Sequence, residues 1–396
     1  MKIIKRLSCL LLFILLFQQN TLAQDSSGLR ISLLTCTPGD ELYSIFGHSA
    51  LRIIDSAKLR TDASAIPDIV YNYGTFNFDD EGFYLKFIRG QLLYYVSVAE
   101  FNDFIYDYQS TNRGITEQVL NLSPEEKILI QRALIENLKE ENRYYKYDFF
   151  LDNCTTRLRD IILKIKKPTP ALPAVMPTHT TFRDAIDIYL YKGEQYWSKL
   201  GIDILLGAPT DAVMTPSQQQ FLPDNLMIAL DKSANIPVVV SKENLYQLND
   251  NAGDRKWFTP MFFFCALLTV FILLSLLKNK QLQSVLSGLD GLLFFLTGAL
   301  GFLLIFMMTA TDHSMTKNNY NILWAWPTHA FISFFINSKR KWVKNYFFIT
   351  AAGHILILLA WSFLPQQMNN ALVPLVLLLT YRALSRYIKL RYEKVY

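Results

Sequence analysis

Two residues in this chain have the types and surroundings for nucleophilic chemistry. Cys154 sits in "YDFFLDNCTTRLRD", Tyr147 to Asp160, between an Asp-Asn pair and a Thr-Thr-Arg helix start. Behind it, Leu158, Ile161, Ile162 and Ile165 follow the i, i+3, i+4, i+7 spacing of one buried helix face, while Arg157, Arg159 and Lys164 fall elsewhere. Asp152 or Asn153 is the natural N-cap, which puts Cys154 in the first turn, where free backbone N–H groups and the helix dipole favour a thiolate. Covalent catalysis also needs a base within hydrogen-bond reach. Between residues 24 and 257 the histidines are His48 and His179. His179 lies in the proline-rich "KPTPALPAVMPTHTTF", a surface-loop composition, whereas His48 follows the tight Phe46-Gly47 pair at the start of a core strand. His48 is therefore the better partner.

The elements that must position this pair follow from local pattern. "LLTCTPGDELYSIFGHSALRIID" predicts a strand, a Pro-Gly turn, a short helix and a second strand from His48, with Leu51 and Ile53 alternating against Ala50 and Arg52. "DIVYNYGTFNF" predicts an aromatic-rich strand in which Gly74 allows a bulge or a close backbone approach. "GQLLYYVSVAEFNDFIYDYQ" predicts a strand running into a helix. "LSPEEKILIQRALIENLKEENR" predicts a helix with Ser123 as cap, Pro124 at its first position and Glu126 completing a capping box. No repeat, zinc-ligand spacing or phosphate loop is present, so no metal and no cofactor is expected.

Lys2, Lys5 and Arg6 ahead of "LLLFILLF" and "TLAQ" predict a signal peptide over residues 1–23, with a retained anchor as the alternative. From Trp257 onward the composition becomes strongly apolar. Five segments are nearly free of charge: "FTPMFFFCALLTVFILLSLL", "GLLFFLTGALGFLLIFMM", "ILWAWPTHAFISFFI", "YFFITAAGHILILLAWSFL" and "ALVPLVLLLTYRAL". They predict five transmembrane helices over residues 258–396, the third and fifth being short for a bilayer. An exported domain over residues 24–257 enters the first helix from outside. The Lys/Arg-rich "KNKQLQS", "NSKRKWVKN" and "RYIKLRYEK" are then cytoplasmic, and "TDHSMTKNNYN" and "PQQMNN" periplasmic. Of a chain total of +5, the membrane half carries +9 and the signal region +3, which leaves −7 on residues 24–257. The basic balance is thus a topology signal, and an acidic exported domain gives no reason to expect nucleic-acid binding.

"FGHSALRI", "VYNYGTFNF", "KFIRGQLLYYVS" and "YKYDFFLDNCTTRLRD", followed by a membrane region containing "TDHSMTKNNYNILWAWP", resemble the Lnb-type lipoprotein acyltransferases. The order His before Cys, with Cys opening a helix, is similar to circularly permuted papain-like acyltransferases and cell-wall peptidases. The resemblance implies an α+β papain-like exported domain followed by an α-helical membrane domain of five helices, held in the bacterial inner membrane with the N-terminal domain in the periplasm. It implies that Cys154 carries an acyl chain as a thioester, with His48 as its base, to the α-amine of a lipoprotein's N-terminal diacylglyceryl-cysteine. Lipoproteins and membrane lipid are then the substrates. Asn72 is a candidate to orient the imidazole, although parity alone does not say which strand face meets His48. Asn153 is a candidate oxyanion donor beside the Cys154 backbone N–H, with capping as the competing role.

Other readings of the same residues stay open. Cys36 and Cys154 are a possible disulfide pair in an oxidising compartment. "NCTT" matches a glycosylation acceptor if cysteine is allowed at its middle position. A peptidoglycan peptidase or amidase would use the same dyad with a different acceptor, and a non-enzymatic membrane scaffold would need Cys154 only for packing. "TDHSMTKNNYN", with Trp324 and Trp326 beside it, suits headgroup depth or an ordinary aromatic belt. His329 and His354 fall inside apolar segments, where buried hydrogen bonding is the expected role.

Overall fold

The computed structural model describes residues 27–56, 67–247 and 257–392. The expected signal peptide, residues 1–23, lies outside the described residues. The N-terminal unit is built on seven strands: β1 Leu29–Cys36, β2 His48–Asp55, β3 Asp68–Thr75, β4 Leu93–Glu100, β5 Ile115–Leu120, β6 Tyr144–Lys146 and β7 Val239–Tyr246. They form one sheet in the order β6-β4-β3-β2-β1-β5-β7, and each neighbouring pair is antiparallel. With its helices this is an α+β unit.

β1 and β2 are central strands, so helices cover both of their faces. Leu51 and Ile53 join one core with Leu134, Leu158, Ile162 and Leu226, contributed by helices Pro124–Leu138, Cys154–Ile165 and Pro223–Asp231. Ala50 packs on the opposite face with Val70 and with Phe104 of helix Phe101–Ser110. Arg52 shares that face. Its guanidinium lies 3.2 Å from the Phe101 ring centroid and pairs with Asp68 and Glu117. The expected alternation along β2 therefore separates two buried faces and not a buried from a wet one.

The helix expected ahead of His48 does not form. Residues 40–46 run as turns, where the Ser44 N–H and hydroxyl both donate to the Glu41 carbonyl and the Gly47 N–H donates to the Ser44 carbonyl. Gly47 has φ +79°, and a Cβ there would sit 2.6 Å from the Cys36 carbonyl oxygen. A glycine is thus required where the chain turns into β2. Helix Pro124–Leu138 carries the expected capping box of Ser123 and Glu126.

In the C-terminal unit three helical stretches are long and apolar enough to cross a membrane among the described residues: Lys280–Thr309, Lys341–Phe363 and Asn370–Tyr392. The apolar helix Pro260–Leu276 is shorter, at 17 residues. The third expected span is broken into Tyr320–Leu323, Thr328–Ile332 and Ser333–Phe335. Pro327 cannot donate a helix hydrogen bond there. The broken backbone also presses against glycines of the Lys280–Thr309 helix: a Cβ on Gly298 would overlap Ala330 N, and one on Gly301 would overlap the Ala325 carbonyl. Close approach at small residues replaces regular helix at this contact. His354 bonds the Trp324 carbonyl at 3.1 Å and His329 bonds the Tyr346 hydroxyl at 2.6 Å, which are buried hydrogen-bonding roles. Asp290, fully buried, receives Arg382 on both carboxylate oxygens and Arg386 on one.

The two units meet through side-chain amides and backbone carbonyls. Asn319 donates to the Ile204 and Leu205 carbonyls, Gln366 to the Leu206 carbonyl, and Asn369 to the Asp203 carboxylate. These partners come from "TDHSMTKNNYN" and "PQQMNN", the two connections whose low Lys/Arg content leads to the expectation of a periplasmic side.

Candidate active site

The site lies where the His48 end of β2 meets the first turn of helix Cys154–Ile165. Asn153 is the N-cap: its side-chain oxygen accepts from the N–H groups of Thr155 and Thr156, and the Thr156 hydroxyl accepts from the Asn153 N–H. Its amide nitrogen donates to the carbonyls of Phe149 and Phe221 at 2.8 and 2.9 Å. Both amide hydrogens are therefore committed, and the expected oxyanion role for Asn153 gives way to a structural one. Asn153 is also buried, so "NCTT" is a helix cap and not an exposed glycosylation acceptor. The cap leaves Cys154 at the first helical position, buried but at the end of the sheet.

The register decides what Asn72 does. Ala50 lies opposite Asn72, and His48 is two residues before Ala50, so His48 and Asn72 are diagonal neighbours on one face of the sheet. Their side chains meet at 3.1 Å, between His48 Nε2 and Asn72 Oδ1. An amide oxygen only accepts, so Nε2 carries the proton and Nδ1 is left as the basic nitrogen of the ring beside Cys154. The β3–β4 register shifts between Asn72 and Thr75, and Gly74 in that bulge has φ +87°. A Cβ on Gly74 would lie 3.7 Å from Cys154 Cβ and 3.5 Å from the Tyr147 ring. The bulge thus brings the strand backbone against the cysteine, and its positive φ, more than lack of space, favours glycine there.

The electrostatics lower the Cys154 thiol and raise the His48 imidazole. Burial works against the Cys154 thiolate. The His48 charge, a hydrogen bond from His48, the Ser49 backbone N–H and the Thr155 hydroxyl outweigh it and bring the thiol down to about 7. Burial likewise opposes charge on His48, but the neighbouring Cys154 thiolate and the bonds to Cys154 and Asn72 hold the imidazole above its ordinary value, against a smaller opposing effect of Arg113. Cys36 behaves in the opposite way. It lies opposite His48 in the β1–β2 register, yet burial pushes its thiol up to about 12 despite a hydrogen bond from Tyr108 and the charge of Arg113. Cys36 and Cys154 are both free thiols. His179 is exposed in its loop, at φ +67°.

Sequence reasoning missed four contributors. Ser49 supplies a backbone donor to the thiol, and its hydroxyl meets Thr155 at 3.0 Å. Tyr147 lines the Gly74 bulge. Asp148 organises the turn into Asn153: its Oδ1 accepts from the N–H groups of Phe150 and Leu151, and its Oδ2 accepts from the Ser314 hydroxyl. Adjacency to His48 and Cys154 was the one signal that could have found Ser49 and Thr155, whereas nothing in the sequence linked Asp148 to Ser314.

The arrangement is a buried thiol beside an imidazole that an amide orients, suited to attack on a carbonyl carbon and transient acyl storage on sulfur. Comparison with known families matches both halves of the chain. Residues 17–185 match the model described as the Lnb N-terminal periplasmic domain, and residues 252–394 match the Lnb transmembrane domain. Comparison with curated proteins found no match, and comparison with solved structures found none.

Proposed function

This chain belongs to the Lnb family, and from that premise we propose that it is a membrane-bound thiol acyltransferase acting on bacterial lipoproteins. In this reading residues 1–23 direct export, residues 24–257 form a periplasmic papain-like domain, and residues 258–396 anchor it in the inner membrane through five crossings. The observation that carries the chemistry is the His48–Asn72 bond, which fixes the tautomer able to take the Cys154 proton.

The steps balance without a nucleotide. Cys154 gives its proton to His48 Nδ1, and Sγ attacks an ester carbonyl of a membrane lipid. A C–S bond forms as the ester C–O bond breaks, and the imidazolium protonates the leaving alkoxide. The α-amine of the lipoprotein's diacylglyceryl-cysteine then attacks the thioester. The C–N bond forms, the C–S bond breaks, and the amine's proton passes through His48 back to sulfur. Amide is the more stable product, so the sequence runs downhill. The first-turn position of Cys154 adds helix-dipole stabilisation for the thiolate.

A peptidoglycan peptidase or amidase would share the dyad. The bonds between the N-terminal unit and both periplasmic connections favour a lipid-anchored substrate over a wall polymer. Mass analysis of lipoprotein N-termini, from cells with the wild-type chain and with Cys154→Ser, tests the reading. Acylated α-amines should appear only with the wild type. Free α-amines in both strains, with altered wall peptides in one, would move the assignment to the amidase.

A further inference from the structure

The segment between β3 and β4 is unusually apolar for a surface. Its short helix Phe83–Ile88 is bracketed by Gly82 and Gly90, at φ 71° and 68°. Phe83 is its buried anchor, while Tyr84, Leu85 and Phe87 are 75%, 60% and 51% exposed, and Phe78 and Ile88 are exposed beside them. Lys86 and Arg89 add positive charge, and the acidic residues Asp79, Asp80 and Glu81 are confined to the preceding turn.

The far end of this segment is fastened to the membrane unit. The Asp312 N–H donates to the Arg89 carbonyl, and the His313 ring bonds the Ile88 carbonyl at 3.1 Å. Asp312 also pairs with Lys146 at 3.0 Å. These residues lie just past Thr309, where the longest apolar helix ends. The helix Phe83–Ile88 is therefore held beside the end of the longest apolar helix, and its exposed aromatic and basic side chains are of the kind suited to the boundary between hydrocarbon and headgroups.

From the same segment an aromatic series runs inward. Phe78 and Phe83 contact Phe76 at 4.9 and 6.0 Å between ring centroids, Phe76 contacts Tyr94 at 5.3 Å, and Tyr94 stacks on Tyr147 at 4.4 Å. Tyr147 borders Gly74, which borders Cys154. We propose that Phe78–Ile88 is embedded in the periplasmic leaflet of the bilayer, and that its aromatic series is the wall along which a lipid acyl chain reaches Cys154. The embedding stands on the tether and the exposed apolar face. The delivery role rests on the acyltransferase reading.

The test uses the full chain in liposomes of phosphatidylethanolamine and phosphatidylglycerol, with a photoreactive benzoylphenylalanine in place of Phe87. Leu129 is the control position, because it is exposed on the helix whose Gln131 bonds Asp55, at the end of β2 remote from His48. Lipid adducts at 87 should exceed those at 129 at least ~5-fold. Equal yields, or adducts to protein alone, would overturn the embedding. In a second arm, Leu85→Asp with Phe87→Asp should slow thioester formation from bilayer phospholipid by ~10-fold, while iodoacetamide alkylation of Cys154 keeps its parental rate. Unchanged acylation in that variant would overturn the delivery role. Absence of any adduct on Cys154 in the parent chain would sink the thioester reading and its delivery clause, and the photocrosslink would still decide the embedding.

Discussion

The Ser314 hydroxyl donates to Asp148 Oδ2 at 2.7 Å, linking a loop of the membrane unit to the turn that presents Cys154. The other oxygen of the same carboxylate holds the Phe150 and Leu151 N–H groups. One carboxylate therefore couples the membrane surface to the nucleophile's position. Ser314→Ala should slow acylation of Cys154 several-fold in the intact chain, because a hydrogen bond to a charged group contributes ~1.5–3 kcal/mol and its loss loosens the turn. Alkylation of Cys154 should change less. Equal slowing of both reactions would mean that the thiol itself, and not its placement against substrate, was altered.

Asn72 acts through His48. Asn72→Ala should lower kcat by ~10–100-fold with little change in KM, since the imidazole loses the acceptor that fixes its tautomer. Asn72→Gln should restore part of the rate if its longer side chain regains the bond to Nε2. A KM effect alone would assign Asn72 to substrate binding.

The pH dependence follows from the thiol lowered to about 7. A depressed thiol pKa means that the thiolate is present above that value and is lost as pH falls through it. The rate of iodoacetamide alkylation at Cys154 should therefore rise with a midpoint near pH 7. In His48→Ala, burial is no longer opposed by the imidazolium, so the midpoint should move upward and the rate at pH 7 should fall at least ~10-fold. Cys36, with its thiol pushed up to about 12, should stay unmodified over the same range. An unchanged midpoint in His48→Ala would remove His48 as the thiolate's partner.

Asp290 pairs with two buried arginines within the membrane unit. Asp290→Ala leaves Arg382 and Arg386 without their shared carboxylate and should destabilise the folded chain by ~3–5 kcal/mol. Thermal unfolding in detergent should show the loss. Replacing all three positions with apolar residues of similar volume should recover much of it. A wild-type melting temperature for Asp290→Ala would show that water or lipid already screens the site.

Several features were legible because they are local. Asn153 caps the Cys154 helix through bonds spanning two and three residues. The buried positions Leu158 and Ile162 recur at helical spacing. The apolar segments announced a membrane unit by composition, and Gly74 announced a bulge by lacking a side chain. The same local signals misled where a distant contact prevails. "ILWAWPTHAFISFFI" reads as one regular helix, but Pro327 and the close approach to Gly298 and Gly301 divide it into short helical pieces. Asn153 looked free to donate until the Phe221 carbonyl, 68 positions away, was seen to take its amide.

What the sequence by itself determined is the presence of a nucleophile at a helix start, a histidine at a strand start and an apolar C-terminal half. Capping, periodicity and hydropathy act over a few residues and need no knowledge of the fold. The tertiary structure decided that Asn72 shares a face with His48, because strand parity becomes a direction only after Ala50 and Asn72 are set opposite each other. It also decided that Ser49 and Thr155, 106 positions apart, close the site, and that Ser314 reaches Asp148 from 166 positions away. Such pairs have no local signature, since each side chain satisfies its own segment equally well without the other. Only the packing of helix Cys154–Ile165 on the sheet, and of the periplasmic connections on both, brings them within bonding distance.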